Sequence, residues 1–175
     1  MGTVYKLLHN TRITVEWYVL IAGNNAKPRV VTCLWLACHR RLATKDRLVK
    51  WGLITEVKRC PCNEVERINH LLFGCAKMKQ IWRSILQWIQ VEHQPLPWDD
   101  EVKWLTTYCG GKGKRVWIMR VAIAKTIYHC WKLRNAICFE NHIDCENIVN
   151  NIIEAIIHRS WHCKRYREYT TQLMM

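Results

Sequence analysis

Apolar positions along this chain recur mostly at intervals of three and four, the period of a helix with one buried face. Between Ala76 and Val91 they fall at Met78, Ile81, Trp82, Ile85, Trp88 and Ile89, which predicts an amphipathic helix whose Trp-rich stripe is core. Pro28 is suited to open a helix, because its missing N–H costs nothing there, and Val30 to Arg41 continues it with Val31, Leu34, Trp35 and Cys38 on one side. Thr44 is placed to cap a short helix from Lys45 to Trp51 that Gly52 stops, giving a helical hairpin that delivers the chain to Cys60. Glu64 to Phe73 begins another helical turn.

The second half repeats the pattern in longer runs. His93 to Asp100, with Pro95 and Pro97, is a break and the best linker candidate. Glu101 to Cys109 predicts a short helix ended by Gly110-Gly111. Lys114 to Phe139 reads as one long buried helix, interrupted by Arg120, Lys125 and Lys132 too often to span a bilayer. Asp144 is placed to cap a last helix carrying Ile148, Val149, Ile152, Ile153, Ile156 and Ile157, and after Trp161 the chain turns basic and is expected to fray. Residues 1 to 27 fit two short helices or a helix and a strand equally well. The fold expected is mainly α: a helical module with a zinc-stapled loop over residues 1–92, a linker with a short helix over 93–113, and a second group of long helices over 114–175.

Composition sharpens this picture. Half of the 175 residues are hydrophobic and ten are Trp, enough for the core of one domain or two small ones. Twenty-seven Lys and Arg against fourteen Asp and Glu leave a formal charge of +13, which favours a polyanionic partner. The excess is concentrated early, with fifteen basic and six acidic residues in 1–92. Arg40, Arg41, Lys45, Arg47, Lys50, Lys58 and Arg59 lead into the cysteine cluster and are the candidate contacts to nucleic acid, RNA or DNA; the bland alternative is that they only keep the surface soluble. With no secretory signal pattern at its start, the chain is expected inside the cell, in cytoplasm or nucleus. There its ten cysteines read as metal ligands where clustered and as ordinary buried thiols where scattered.

The cluster is Cys60, Cys62, His70 and Cys75, four soft or borderline donors within sixteen residues. Zinc takes four such donors in a tetrahedron, and a Cys3His set with no open position is a structural site. The alternative is that these are free thiols and a histidine at a helix start. Only Pro61 separates the first two cysteines; an extended segment would still turn both side chains to one face.

Around this cluster the chain resembles a known family. Pro28-Arg29, Leu34 to Ala37, Arg41 to Leu48, Trp51-Gly52, Cys60, Cys62, Glu64, His70 to Phe73, Cys75 and Ile81-Trp82 are similar to the reverse transcriptase zinc-binding domain that follows the polymerase in plant LINE-type, non-LTR retroelements. The likeness covers roughly the first half of the chain, a coverage read with the usual looseness of boundaries. It implies structural Zn2+ held by Cys60, Cys62, His70 and Cys75, nucleic acid as partner, and a reverse transcriptase in trans. No membrane and no small-molecule substrate are expected.

The sequence offers little for catalysis. Polymerases and ribonucleases need carboxylates converging on divalent metal ions, and the acidic cluster here, Asp99-Asp100-Glu101, sits at an expected helix start where the dipole favours it. Gly110-Gly111-Lys112-Gly113-Lys114 lacks the spacing and hydroxyl of a phosphate loop. The expected role is a non-catalytic module contacting nucleic acid. The runner-up is a protein-interaction module or the relic of a degraded element, and a thiol oxidoreductase built on Cys60-Pro61-Cys62 lacks the usual two-residue gap.

Overall fold

The computed structural model describes residues 15–55, 65–137, 147–162 and 164–174. Within them the chain is mainly α, with no strand. The elements are α1 (Tyr18–Ile21), α2 (Pro28–Cys38), α3 (Lys45–Lys50), a π-helical turn (His70–Gly74), α4 (Ala76–Trp88), α5 (Trp98–Tyr108), α6 (Lys114–Asn135), α7 (Ile148–Ser160) and α8 (Lys164–Gln172).

The hydrophobic periods account for most of these. Pro28 stands at the start of α2, and Val30, Cys33, Leu34 and Ala37 are its buried face. Arg40, rather than a glycine, takes the left-handed position after the helix with φ 54°, and the Arg41 N–H closes the end on the Leu36 carbonyl at 2.7 Å. In α4 the predicted stripe of Met78, Ile81, Trp82 and Ile85 is buried. The core is organised around α6, which is buried on nearly every side from Trp117 to Ile127. Helices α2, α4, α7 and α8 and the π-turn all pack against it, so the later helices share one apolar cluster with those that precede residue 92.

The structure departs from the sequence reading at three places. Thr44 does precede α3, but its hydroxyl bonds to Asp46 at 2.5 Å instead of accepting a backbone N–H. The Lys45 N–H at the start of that helix is taken by Glu66 Oε1 at 2.9 Å, from a residue far along the chain. Beyond Trp161 the chain forms α8 rather than fraying. Tyr166 stacks on Trp117 with centroids 4.1 Å apart, and buried Ser160 and Thr170 hydroxyls bond at 2.7 Å. A few apolar anchors in a basic stretch are enough to fix a helix when tertiary packing supplies the partner.

The third departure is the Pro-rich break, which is held tightly. Glu101 is fully buried and accepts hydrogen bonds from Trp82 Nε1–H at 2.7 Å and the Leu96 N–H at 2.7 Å. The oxygen that accepts from Leu96, Oε2, also lies 3.0 Å from His93 Nε2. The His93 ring stacks face to face on Trp104, 3.5 Å between centroids. One carboxylate thus ties α4, the break and α5 together. The three acids at the start of α5 diverge, Asp99 to Arg40, Asp100 to Lys103 and Glu101 inward.

Replacing Glu101 with Ala should strand two buried donors and cost about 2–4 kcal/mol, the sum expected for unpaired buried groups. Urea unfolding checks this, and a loss under about 0.5 kcal/mol, the scale of a neutral surface change, would remove Glu101 from its central role.

Candidate metal and nucleic-acid site

Of the four candidate ligands, His70 and Cys75 are placed by the structure, while Cys60 and Cys62 lie outside the described residues. The two that are placed stand at the ends of one tight reversal. The chain leaves helical geometry at Leu72 (φ −102°, ψ 92°), Phe73 turns left-handed at φ 70°, and the Cys75 N–H returns to the His70 carbonyl at 2.6 Å. Gly74 makes the return feasible, since a Cβ there would lie 2.5 Å from the Asn69 carbonyl oxygen. A left-handed non-glycine costs about 1–2 kcal/mol, and burial offsets it. Leu71, Leu72 and Phe73 are all buried, and the Phe73 ring stacks on Trp82 at 5.6 Å and meets Trp98 at 6.0 Å.

The apolar triplet therefore acts as an anchor, and the turn it fixes brings the backbones of His70 and Cys75 together. Cys75 is half-buried, free, and the residue before α4 begins. The side chains of His70 and Cys75, an imidazole and a thiol, are of the donor types that a Cys3His site uses. Among the described residues no group of three or more His, Cys, Asp or Glu side chains is arranged to hold a metal ion, so any further ligands must come from elsewhere in the chain. The scattered cysteines among the described residues are of a different kind. Burial pushes the Cys33, Cys38 and Cys130 thiols up to about 12 and Cys109 up to about 11, which keeps them protonated and apolar.

The chain re-enters the described residues beside a buried ion pair. Glu66 is fully buried and receives Arg134 through Nε–H at 3.0 Å and Nη2–H at 2.5 Å. Arg134 comes from the C-terminal end of α6 and also lies over the Trp131 ring at 4.9 Å. Because Glu66 also takes the Lys45 N–H, one carboxylate joins the start of α3, the segment leading to His70 and the end of α6. No local sequence signal marks this pairing, since its partners are separated by 68 positions.

The candidate nucleic-acid contacts are placed unevenly. Arg40 is half-exposed and ion-paired with Asp99, which also accepts from Asn69, next to His70, at 3.3 Å. Arg47 donates to the Arg40 carbonyl and lies over Trp51 at 4.7 Å. Lys45 is partly buried at the start of α3, whereas Arg41 and Lys50 are exposed. Lys58 and Arg59 lie outside the described residues. Arg40 and Arg47 thus brace the hairpin as well as adding charge to it.

Residues 1–82 match the family described as zinc-binding in reverse transcriptase. All four candidate ligands and all seven candidate contacts fall inside that range. No curated protein and no solved structure matches the chain.

Truncating Glu66 to Ala should cost about 3–5 kcal/mol, because Arg134 would stay buried without its anion; a change under about 1 kcal/mol in urea unfolding would put the pair on the scale of a surface bridge. Acid should destabilise the fold through His129, whose pKa is pushed down from 6.5 to about 4 by burial, then by Lys125 and Lys132. The folded imidazole stays neutral while the unfolded one protonates, so stability is full above 6.5 and falls as pH drops toward 4. His129→Gln should flatten the stability profile in that window, and an unaltered profile would locate the acid sensitivity elsewhere.

Proposed function

We propose that this chain is a non-catalytic zinc-binding module of the kind that follows the polymerase in plant LINE-type reverse transcriptases, and that it holds nucleic acid beside such a polymerase. The observation that carries the reading is the family match over residues 1–82, supported by the buried Leu71-Leu72-Phe73 turn that closes the backbone between His70 and Cys75. Cys60 and Cys62 would complete the donor set. Zinc bound there would supply a closed cross-link of fixed geometry. The residues around it do the positioning: Phe73 seats the turn in the core, Gly74 lets the chain double back, and Glu66 fastens the adjoining segment to α6.

Two features support the non-catalytic part. The only run of acids, Asp99 to Glu101, sends its carboxylates to three different partners, whereas two-metal catalysis needs carboxylates that converge. The net charge of +13 suits a phosphate-rich partner, whose counterions are released on binding. No helix among the described residues is long and apolar enough to cross a membrane.

Purified protein should hold one equivalent of zinc, and chelation should raise hydrogen exchange first at the amides of His70 to Ala76, since metal-binding energy is folding energy here. Protein free of zinc whose exchange ignores the chelator would end the metal reading. Binding to nucleic acid should weaken log-linearly with salt, as followed by fluorescence anisotropy with a labelled random oligonucleotide. The same protein should extend no primer and cleave no RNA with Mg2+ present; activity abolished by Asp99→Asn would overturn the non-catalytic reading.

A further inference from the structure

A second group of cations, absent from the hairpin, is assembled by the fold around Lys125. This lysine lies on α6, is only 7% exposed, and has no carboxylate or hydrogen-bond acceptor among the described residues. The fold encloses its stem, while the ammonium reaches solvent and is open to an anion from outside. Its neighbours are cations from three elements. Arg29, in the first turn of α2, lies 5.6 Å over the ring of Tyr128 on α6. Arg159 on α7 donates through Nε–H to the Asn25 carbonyl, in the loop that leads into α2. Lys27 immediately precedes α2, so the positive end of that helix faces the same region.

The electrostatics follow from this placement. Burial first, then Lys27, Arg29 and Arg159, lower the Lys125 pKa, and no acid appears among the groups acting on it. Lys132 extends the cluster, because positions 125 and 132 share one face of a helix. Lys125 and Lys132 stand about 10 Å apart along the helix axis.

We propose that Lys125, with Lys27, Arg29, Lys132 and Arg159, forms a binding site for consecutive backbone phosphates of nucleic acid, separate from the Arg40 to Arg59 run. The inference rests on the nucleic-acid reading above and assigns its main contact to α6 and the entrance of α2. Arg29 is oriented by Tyr128 beneath it, and Arg159 by the Asn25 carbonyl, so both guanidinium groups are pre-positioned. The repulsion among these cations is relieved when phosphates enter between them. Phosphate contacts carry no base information, so the site holds a strand without reading its sequence.

The test compares two double variants at exposed positions, Arg29→Ala with Lys132→Ala and Arg41→Ala with Lys50→Ala, by anisotropy of labelled random RNA and duplex DNA across a salt series. The first pair should make the log–log salt slope shallower by about 1.4 to 1.8, two contacts' worth, and the second pair should change it less. A wild-type slope in the first variant, with wild-type binding intact, overturns this site and leaves the nucleic-acid reading standing. Absence of any salt-dependent binding by the wild type overturns that reading, and the site with it. Lys125→Met supplies an independent readout, since removing a repelled cation while keeping its stem should raise the melting temperature and weaken RNA binding together. A fall in melting temperature with unchanged binding would make Lys125 a structural residue and overturn the proposal.

Discussion

The middle of a 22-residue helix, Trp117 to Ile127, is buried on nearly all sides, and the rest of the chain is arranged to cover it. Helix α2 lies along it, α4 and the π-turn cover a second flank, and α7 and α8 close the remainder. Each of those helices is amphipathic and brings one stripe, Val30 to Ala37 from α2, Met78 to Leu86 from α4, and Ile148, Ile152 and Ile156 from α7. None of them could bury its stripe without α6, and α6 could not be kept from solvent without all of them. The matched portion, residues 1–82, therefore depends on helices that come after it in the chain.

The same central helix governs where charge can go. Arg134 near its end is tolerated because Glu66 meets it with two oxygens, and the acid Glu101 is tolerated because Trp82 and the Leu96 N–H donate to it. Both networks fasten irregular segments, the exit of the cysteine-rich loop and the Pro-rich break, to helices that cannot shift. Lys125 follows the opposite logic, with a buried stem and cationic neighbours. Among the described residues the buried charges of Glu66, Arg134 and Glu101 are met by internal partners, whereas none is seen for Lys125.

The turn at His70 to Cys75 shows how a ligand pair is built from core packing. Its shape comes from Phe73, held left-handed between Trp82 and Trp98, and from Gly74, where no side chain fits. The turn is thus shaped by its apolar residues rather than its polar ones.

Much of this was written in the sequence alone. The helical period, Pro28 at a helix start, Gly52 at a helix end and the spacing of the long apolar run fixed a mainly α fold, because those signals act over a few residues and need no distant partner. The Cys60, Cys62, His70 and Cys75 cluster was equally legible as donor chemistry. The tertiary structure alone decided that Thr44 leaves its capping task to Glu66, that the basic tail after Trp161 becomes a helix on Trp117, and that Glu101 turns inward. It alone gathered Lys27, Arg29, Lys125, Lys132 and Arg159, which sequence separates by as many as 132 positions. Local pattern reports which face of each helix avoids water, but which side chains meet across those faces is set only when all the helices share one core.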